Sequence, residues 1–199
     1  RDRLRSRGLG DVYKRQKQPL IILGKGAAYA QADDHIKNFI EKTGVPFLPM
    51  SMAKGLLPDN HPQSAAAARS FVLKNADVVL LLGARLNWLL SHGKGKHWNP
   101  NVKFIQLDID SEEFDSNRPI EAPVAGDIAS SVGLMLSRLP DFQIKPQTAW
   151  TEAVNQAKQP NIAKMEARLN ADAKPMDFFS ALNACLLYTS PSPRDRSLS

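Results

Sequence analysis

Hydrophobic positions along this chain alternate between short unbroken apolar runs and longer stretches with apolar residues at three- and four-residue spacing. The run PLIIL (Pro19–Leu23) ends in Gly24-Lys25-Gly26 and predicts a buried strand entering a tight turn. Residues 27–43 place Ala28, Ile36, Phe39 and Ile40 at helical spacing, with Gly44 positioned to end that helix. VPFLP (45–49) predicts a second strand, kept short by its prolines. A polar stretch rich in Gly and Pro then leads to a predicted helix over 64–75. DVVLLL (77–82) is apolar throughout, the pattern of a strand covered on both faces. Residues 85–90 form a short irregular or helical piece, KFIQLDI (103–109) a fourth strand and 124–125 a fifth. Asp127 is placed to cap a helix running to about Leu139. Residues 140–147 read as a linker, 148–169 as a polar helix with a sparse apolar stripe, and 176–184 as the opening of a further element. This order predicts an α/β fold: a doubly wound, mostly parallel sheet with helices on both faces and right-handed crossovers.

Charge changes that picture only at the ends. The chain of 199 residues carries a formal net charge of +6, the balance of a polyanion binder. Residues 7–16 and 185–194, however, can be encoded by opposite strands of one stretch of DNA. The expectation is that 1–16 and 185–199 are non-native tails read from sequencing adapter, flanking an internal piece of a longer protein. Without those tails 18 basic and 17 acidic side chains remain, which removes nucleic acid and membrane surface as inferred partners. The single cysteine, Cys185, also falls in a tail, so no disulfide framework, thiolate metal site or cysteine nucleophile is expected. No apolar run approaches the roughly 18–20 residues of a membrane span.

In open α/β sheets ligands lie beyond the carboxyl ends of the strands. Here those ends carry Gly24-Lys25-Gly26, Gly83-Ala84-Arg85 and Asp108-Ile109-Asp110, with Gly126-Asp127-Ile128 before the next helix. Lys25 and Arg85 are suited to neutralise a diphosphate and the carboxylates to accept from ribose hydroxyls, so the set predicts a nucleotide-diphosphate site. Each residue also has a plainer role: glycines for turn geometry, Asp127 as a helix cap, Asp108 as a turn former, Arg85 in a surface ion pair. GKGAAY is not the dinucleotide fingerprint, which argues against NAD chemistry. His92 and His97 are five apart among lysines, which disfavours a metal ion. His35 reads as a solvated helix position and His61 as a loop residue.

The segments GKGAAYAQ, PDNHPQ, GARLNWLLSHGKGK, QLDID and FDSNRPIEAPVAGDI resemble the middle domain of the oxalyl-CoA decarboxylases, a branch of the thiamine-diphosphate-dependent enzymes. The resemblance covers essentially 17–139. It implies a Rossmann-like central nucleotide-binding domain over 17–139, a linker with helix over 140–175, and the start of a truncated thiamine-binding domain over 176–184. For the full-length parent it implies a carbon–carbon lyase that decarboxylates oxalyl-CoA to formyl-CoA and CO2 in oxalate catabolism. Thiamine diphosphate and magnesium would be held outside this piece, so no catalytic residue and no metal ligand is expected here. It further implies ADP bound as an activator by Lys25, Arg85, Asp108, Ile109, Asp127 and Ile128, and part of the CoA thioester near Arg69 and Ser70. The parent is expected to be a cytoplasmic homotetramer. Competing expectations are the central domain of a 2-hydroxyacyl-CoA lyase or an acetolactate synthase-like enzyme, or a structural spacer with a vestigial nucleotide site.

Overall fold

The computed structural model describes residues 17–141 and 147–169, with the isolated positions Phe178 and Ala181. The expected tails, most of the 140–147 linker and nearly all of the 176–184 element lie outside the described residues. Five strands form one sheet: β1 Pro19–Leu23, β2 Phe47–Pro49, β3 Val78–Leu82, β4 Lys103–Asp108 and β5 Ala122–Ala125. Their order is β2-β1-β3-β4-β5, and every pairing is parallel. The chain leaves β1 toward β2 on one side and returns to β3 on the other, so the strand order reverses between β1 and β3. That switch leaves a crevice at the carboxyl ends of these two strands.

The helices are α1 Lys25–Tyr29, α2 Asp33–Thr43, α3 Arg69–Asn75, α4 Ile128–Arg138 and α5 Thr148–Leu169. Alternate strand residues supply two cores, as the two-residue period of a strand requires. Ile21, Leu23, Leu80, Leu82, Ile105 and Leu107 pack with Ile36, Phe39 and Ile40 of α2 and Ile128 and Val132 of α4. Leu20, Ile22, Val79, Leu81 and Phe104 pack on the opposite face with Val72 and Leu73 of α3 and Trp150 and Val154 of α5.

Two predicted helices are broken. The 27–43 helix is split at Gln31, whose φ of 49° ends α1; Asp33 and Asp34 then open α2, where the helix dipole favours acidic residues. The 64–75 helix begins as a single tight turn, Ala66–Ala68, before α3. Gly44 ends α2 in the left-handed region at φ 67° and donates to the Ile40 carbonyl, as its position predicts. Asp77 lies just before β3: its carboxylate accepts from the backbone N–H groups of Lys17 and Gln18, at 2.7 and 3.0 Å, and pins the entry of β1.

Helix α5 is fastened to the sheet domain despite its polar sequence. The buried Trp150 indole donates to the Pro19 carbonyl at 2.8 Å and stacks on Phe71. Lys158 Nζ donates to the Pro62 carbonyl and Asn161 Nδ2 to the Ala67 carbonyl, and partial burial holds the Lys158 ammonium below the usual lysine range. Among the described residues no helix is long and apolar enough to cross a membrane.

Candidate functional site: a groove at the switch point

Glycines lace the strand ends together. Gly24 N donates to Leu82 O, Gly83 N to Leu107 O and Gly126 N to Asp108 O, all at 2.9–3.0 Å, so each crossover leaves its strand bonded to a neighbour. The β1 and β3 turns also touch backbone to backbone. A Cβ on Gly24 would stand 2.2 Å from the Gly83 carbonyl oxygen, and one on Gly83, whose φ is +56°, 2.5 Å from the Ala27 nitrogen. Gly26 N is spent on Gly83 O at 3.0 Å. These glycines therefore serve the close approach of two turns, and the Gly26 amide is not free for a phosphate.

That approach leaves a groove of about 500 Å³ lined by Lys25, Gly26, Tyr29, Ala30, Gly83, Arg85, Asp108, Ile109, Asp110, Glu113, Asp127 and Ile128. Lys25, Arg85, Asp108, Ile109, Asp127 and Ile128, drawn from four separate segments, all meet there. Arg69 and Ser70 do not line it: Arg69 opens α3, where its Nη2 donates to the Leu89 carbonyl at 2.7 Å and its Nη1 approaches the Met50 sulfur at 3.7 Å.

The groove is polarised. Its cations, Lys25 and Arg85, follow β1 and β3, while of its carboxylates Asp108 ends β4, Asp110 and Glu113 follow it and Asp127 caps α4. Lys25 Nζ lies 5.2 Å from the centre of the Tyr29 ring, a cation–π contact across one helical turn. Arg85 Nη1 donates to Glu113 Oε1 at 2.6 Å, with the Arg85 side chain 54% exposed. Asp108 Oδ1 accepts from the Asp110 amide at 3.2 Å, and no described residue bonds its second oxygen. Ile109 is 75% exposed, an apolar surface beside the carboxylates, whereas Ile128 lines the groove while remaining buried.

Asp127 is a helix cap as well as a groove residue: its Oδ2 accepts from Ser130 N at 2.8 Å. That backbone hydrogen bond holds its carboxyl below the ordinary value of 3.8. A carboxyl lowered on folding stabilises the fold above its unfolded pKa, and that contribution is lost as pH falls through the lower folded value. Following the Ser130 amide by NMR through an acid titration is therefore expected to give a midpoint below 3.8. A midpoint above it would rule out the cap.

Tyr29 and Glu113 were not singled out in the sequence, and Asp110 only as part of the strand end Asp108-Ile109-Asp110, although two signals were present. Tyr29 stands one helical turn after Lys25, and QLDIDSEE places an acidic cluster directly after a predicted strand.

A doubly wound parallel sheet with such a groove at its switch point defines the open α/β class of domain, in which ligands bind beyond the carboxyl ends of the strands. The chain matches the family described as thiamine pyrophosphate enzyme, central domain, over residues 11–135, and it belongs to that family. Oxalyl-CoA decarboxylase of Escherichia coli (strain K12) is 58% identical over 168 residues, covering 84% of this chain and 30% of that protein. The 2-hydroxyacyl-CoA lyase of Oryza sativa subsp. japonica is 40% identical over 189 residues, 92% of this chain and 33% of that protein. 2-hydroxyacyl-CoA lyase 1 of Homo sapiens is 40% identical over 171 residues, 85% of this chain and 30% of that protein. The chain thus spans about a third of the length of these relatives.

Proposed function

We propose that this chain is the central domain of an oxalyl-CoA decarboxylase and that its groove binds ADP as an activator. The observation that carries the ADP reading is the meeting in one groove of two cations, a ribose-competent carboxylate and an exposed apolar side chain. Lys25 and the outer edge of the Arg85 guanidinium neutralise the diphosphate, Arg85 by a bidentate contact. Asp108, with one oxygen unengaged, accepts from a ribose hydroxyl, and Ile109 lies against the adenine. Asp127 and Ile128 close the adenosine side. The proposal extends to CoA, part of whose nucleotide Arg69 and Ser70 would meet; Ser70 is exposed.

In the parent enzyme, thiamine diphosphate with its magnesium supplies the carbanion-stabilising ring for decarboxylation of oxalyl-CoA to formyl-CoA. Residues 17–169 are assigned no part in that step and act by binding the regulatory nucleotide, so the isolated chain is proposed to be inactive. The parent is proposed to be a cytoplasmic homotetramer. A 2-hydroxyacyl-CoA lyase is the second reading, favoured by relatives 40% identical over most of this chain. Assay of a full-length parent on oxalyl-CoA and on a 2-hydroxyacyl-CoA separates the two.

Calorimetric titration of ADP into the 199-residue chain tests the groove. Saturable binding is expected, weakened roughly tenfold to a hundredfold in Arg85→Ala, the range of a lost charge-assisted hydrogen bond, and about tenfold in Asp108→Ala. A folded chain that does not bind ADP would favour a spacer with a vestigial site.

A further inference from the structure

We infer that Glu113 is the residue that sets the charge selectivity of this groove, by holding a second negative charge on the cation that a phosphate must use. The inference rests on the nucleotide reading and deepens it. Arg85 is one of the groove's two cations, and its Nη1 is bound to Glu113 Oε1 at 2.6 Å. Glu113 is presented by a single tight turn, Ser111–Glu113, which Asp110 anchors by accepting from the Glu112 amide at 2.9 Å. The carboxylate is thus delivered to Arg85 by a short capped turn, and its side chain is only 27% exposed.

Two consequences follow from the chemistry of the pair. A phosphate that engages Arg85 meets the Glu113 charge at close range, in a groove already carrying Asp108, Asp110 and Asp127. Like charges within a few ångströms oppose binding, and salt screens that opposition. A ligand without phosphate has no need of Arg85 and escapes the penalty. Glu113 therefore penalises every phosphate ligand that uses Arg85, and a ligand that draws on Lys25 and Arg85 together offsets that penalty.

Glu113→Gln separates charge from position, because the amide oxygen still accepts from Arg85 Nη1 while the negative charge is gone. Titrations of ADP, AMP and adenosine into the 199-residue chain and this variant form the test, with a double-mutant cycle of Arg85→Ala and Glu113→Gln on thermal stability. The variant is expected to bind both ADP and AMP about tenfold tighter, with adenosine unchanged. The cycle is expected to show Arg85 and Glu113 coupled. Coupling with unaltered or weakened ADP binding would overturn the inference and leave the nucleotide reading standing, since Glu113 would then only orient Arg85. Absence of coupling would overturn the inference at its geometric root. Failure of both proteins to bind ADP, with coupling intact, would remove the nucleotide reading and this inference with it.

Discussion

Gly24→Ala is expected to destabilise the domain by about 3 kcal/mol, a fall of roughly 6–12 °C in Tm. The new methyl would stand 2.2 Å from the Gly83 carbonyl oxygen and 2.4 Å from the Ala84 Cα. Both are backbone atoms, held by the Gly24–Leu82 and Gly83–Leu107 hydrogen bonds, so no rotamer change relieves the clash. The β1 and β3 ends must separate, and the groove they frame opens with them. Gly44→Ala is the informative control. Gly44 has open space around its Cβ direction and only its φ of +67° to oppose an alanine, which costs about 1 kcal/mol. Thermal unfolding of the two variants should rank them in that order. Equal effects would mean that turn contact at the switch point contributes nothing beyond backbone conformation.

Trp150→Ala is expected to cost about 3–5 kcal/mol, the range for removing a large buried aromatic. The indole is 4% exposed, stacks on Phe71 and donates to Pro19 O across 131 positions of sequence. Trp150→Phe keeps a ring against Phe71 and loses the hydrogen bond, so about 1 kcal/mol is expected for it. Hydrogen exchange gives the spatial readout: faster exchange in α3 and the 66–68 turn marks a domain that needs α5. A cost below 1 kcal/mol for Trp150→Ala would make the helix a passive connector.

The strands were legible because each signal is local. PLIIL and DVVLLL are apolar without interruption, and a strand covered on both faces has that composition wherever it sits in a sheet. Gly44 and Asp127 were legible for a related reason, since a cap is set by its own backbone geometry and a partner within four residues. The groove was legible only as a prediction of convergence: glycine, cation and carboxylate recur after successive strands, and parallel topology brings successive strand ends to one edge. Interruptions within helices were less visible. Nothing in AAYAQADD announces Gln31 as left-handed, because the break follows from how α1 and α2 pack on the same face of the sheet.

By itself, then, the sequence determined the α/β class, the order of its elements and the residue types at the rim, through hydrophobic period and turn chemistry that act over a few residues. The tertiary structure alone decided that Arg85 meets Glu113, that Gly26 gives its amide to Gly83, and that a helix polar in sequence buries Trp150 against Pro19. Each joins residues brought together by a crossover, from 28 to 131 positions apart. Such contacts form when two hydrophobic faces dock on one sheet, and no periodicity along the chain encodes which side chains then lie opposite one another.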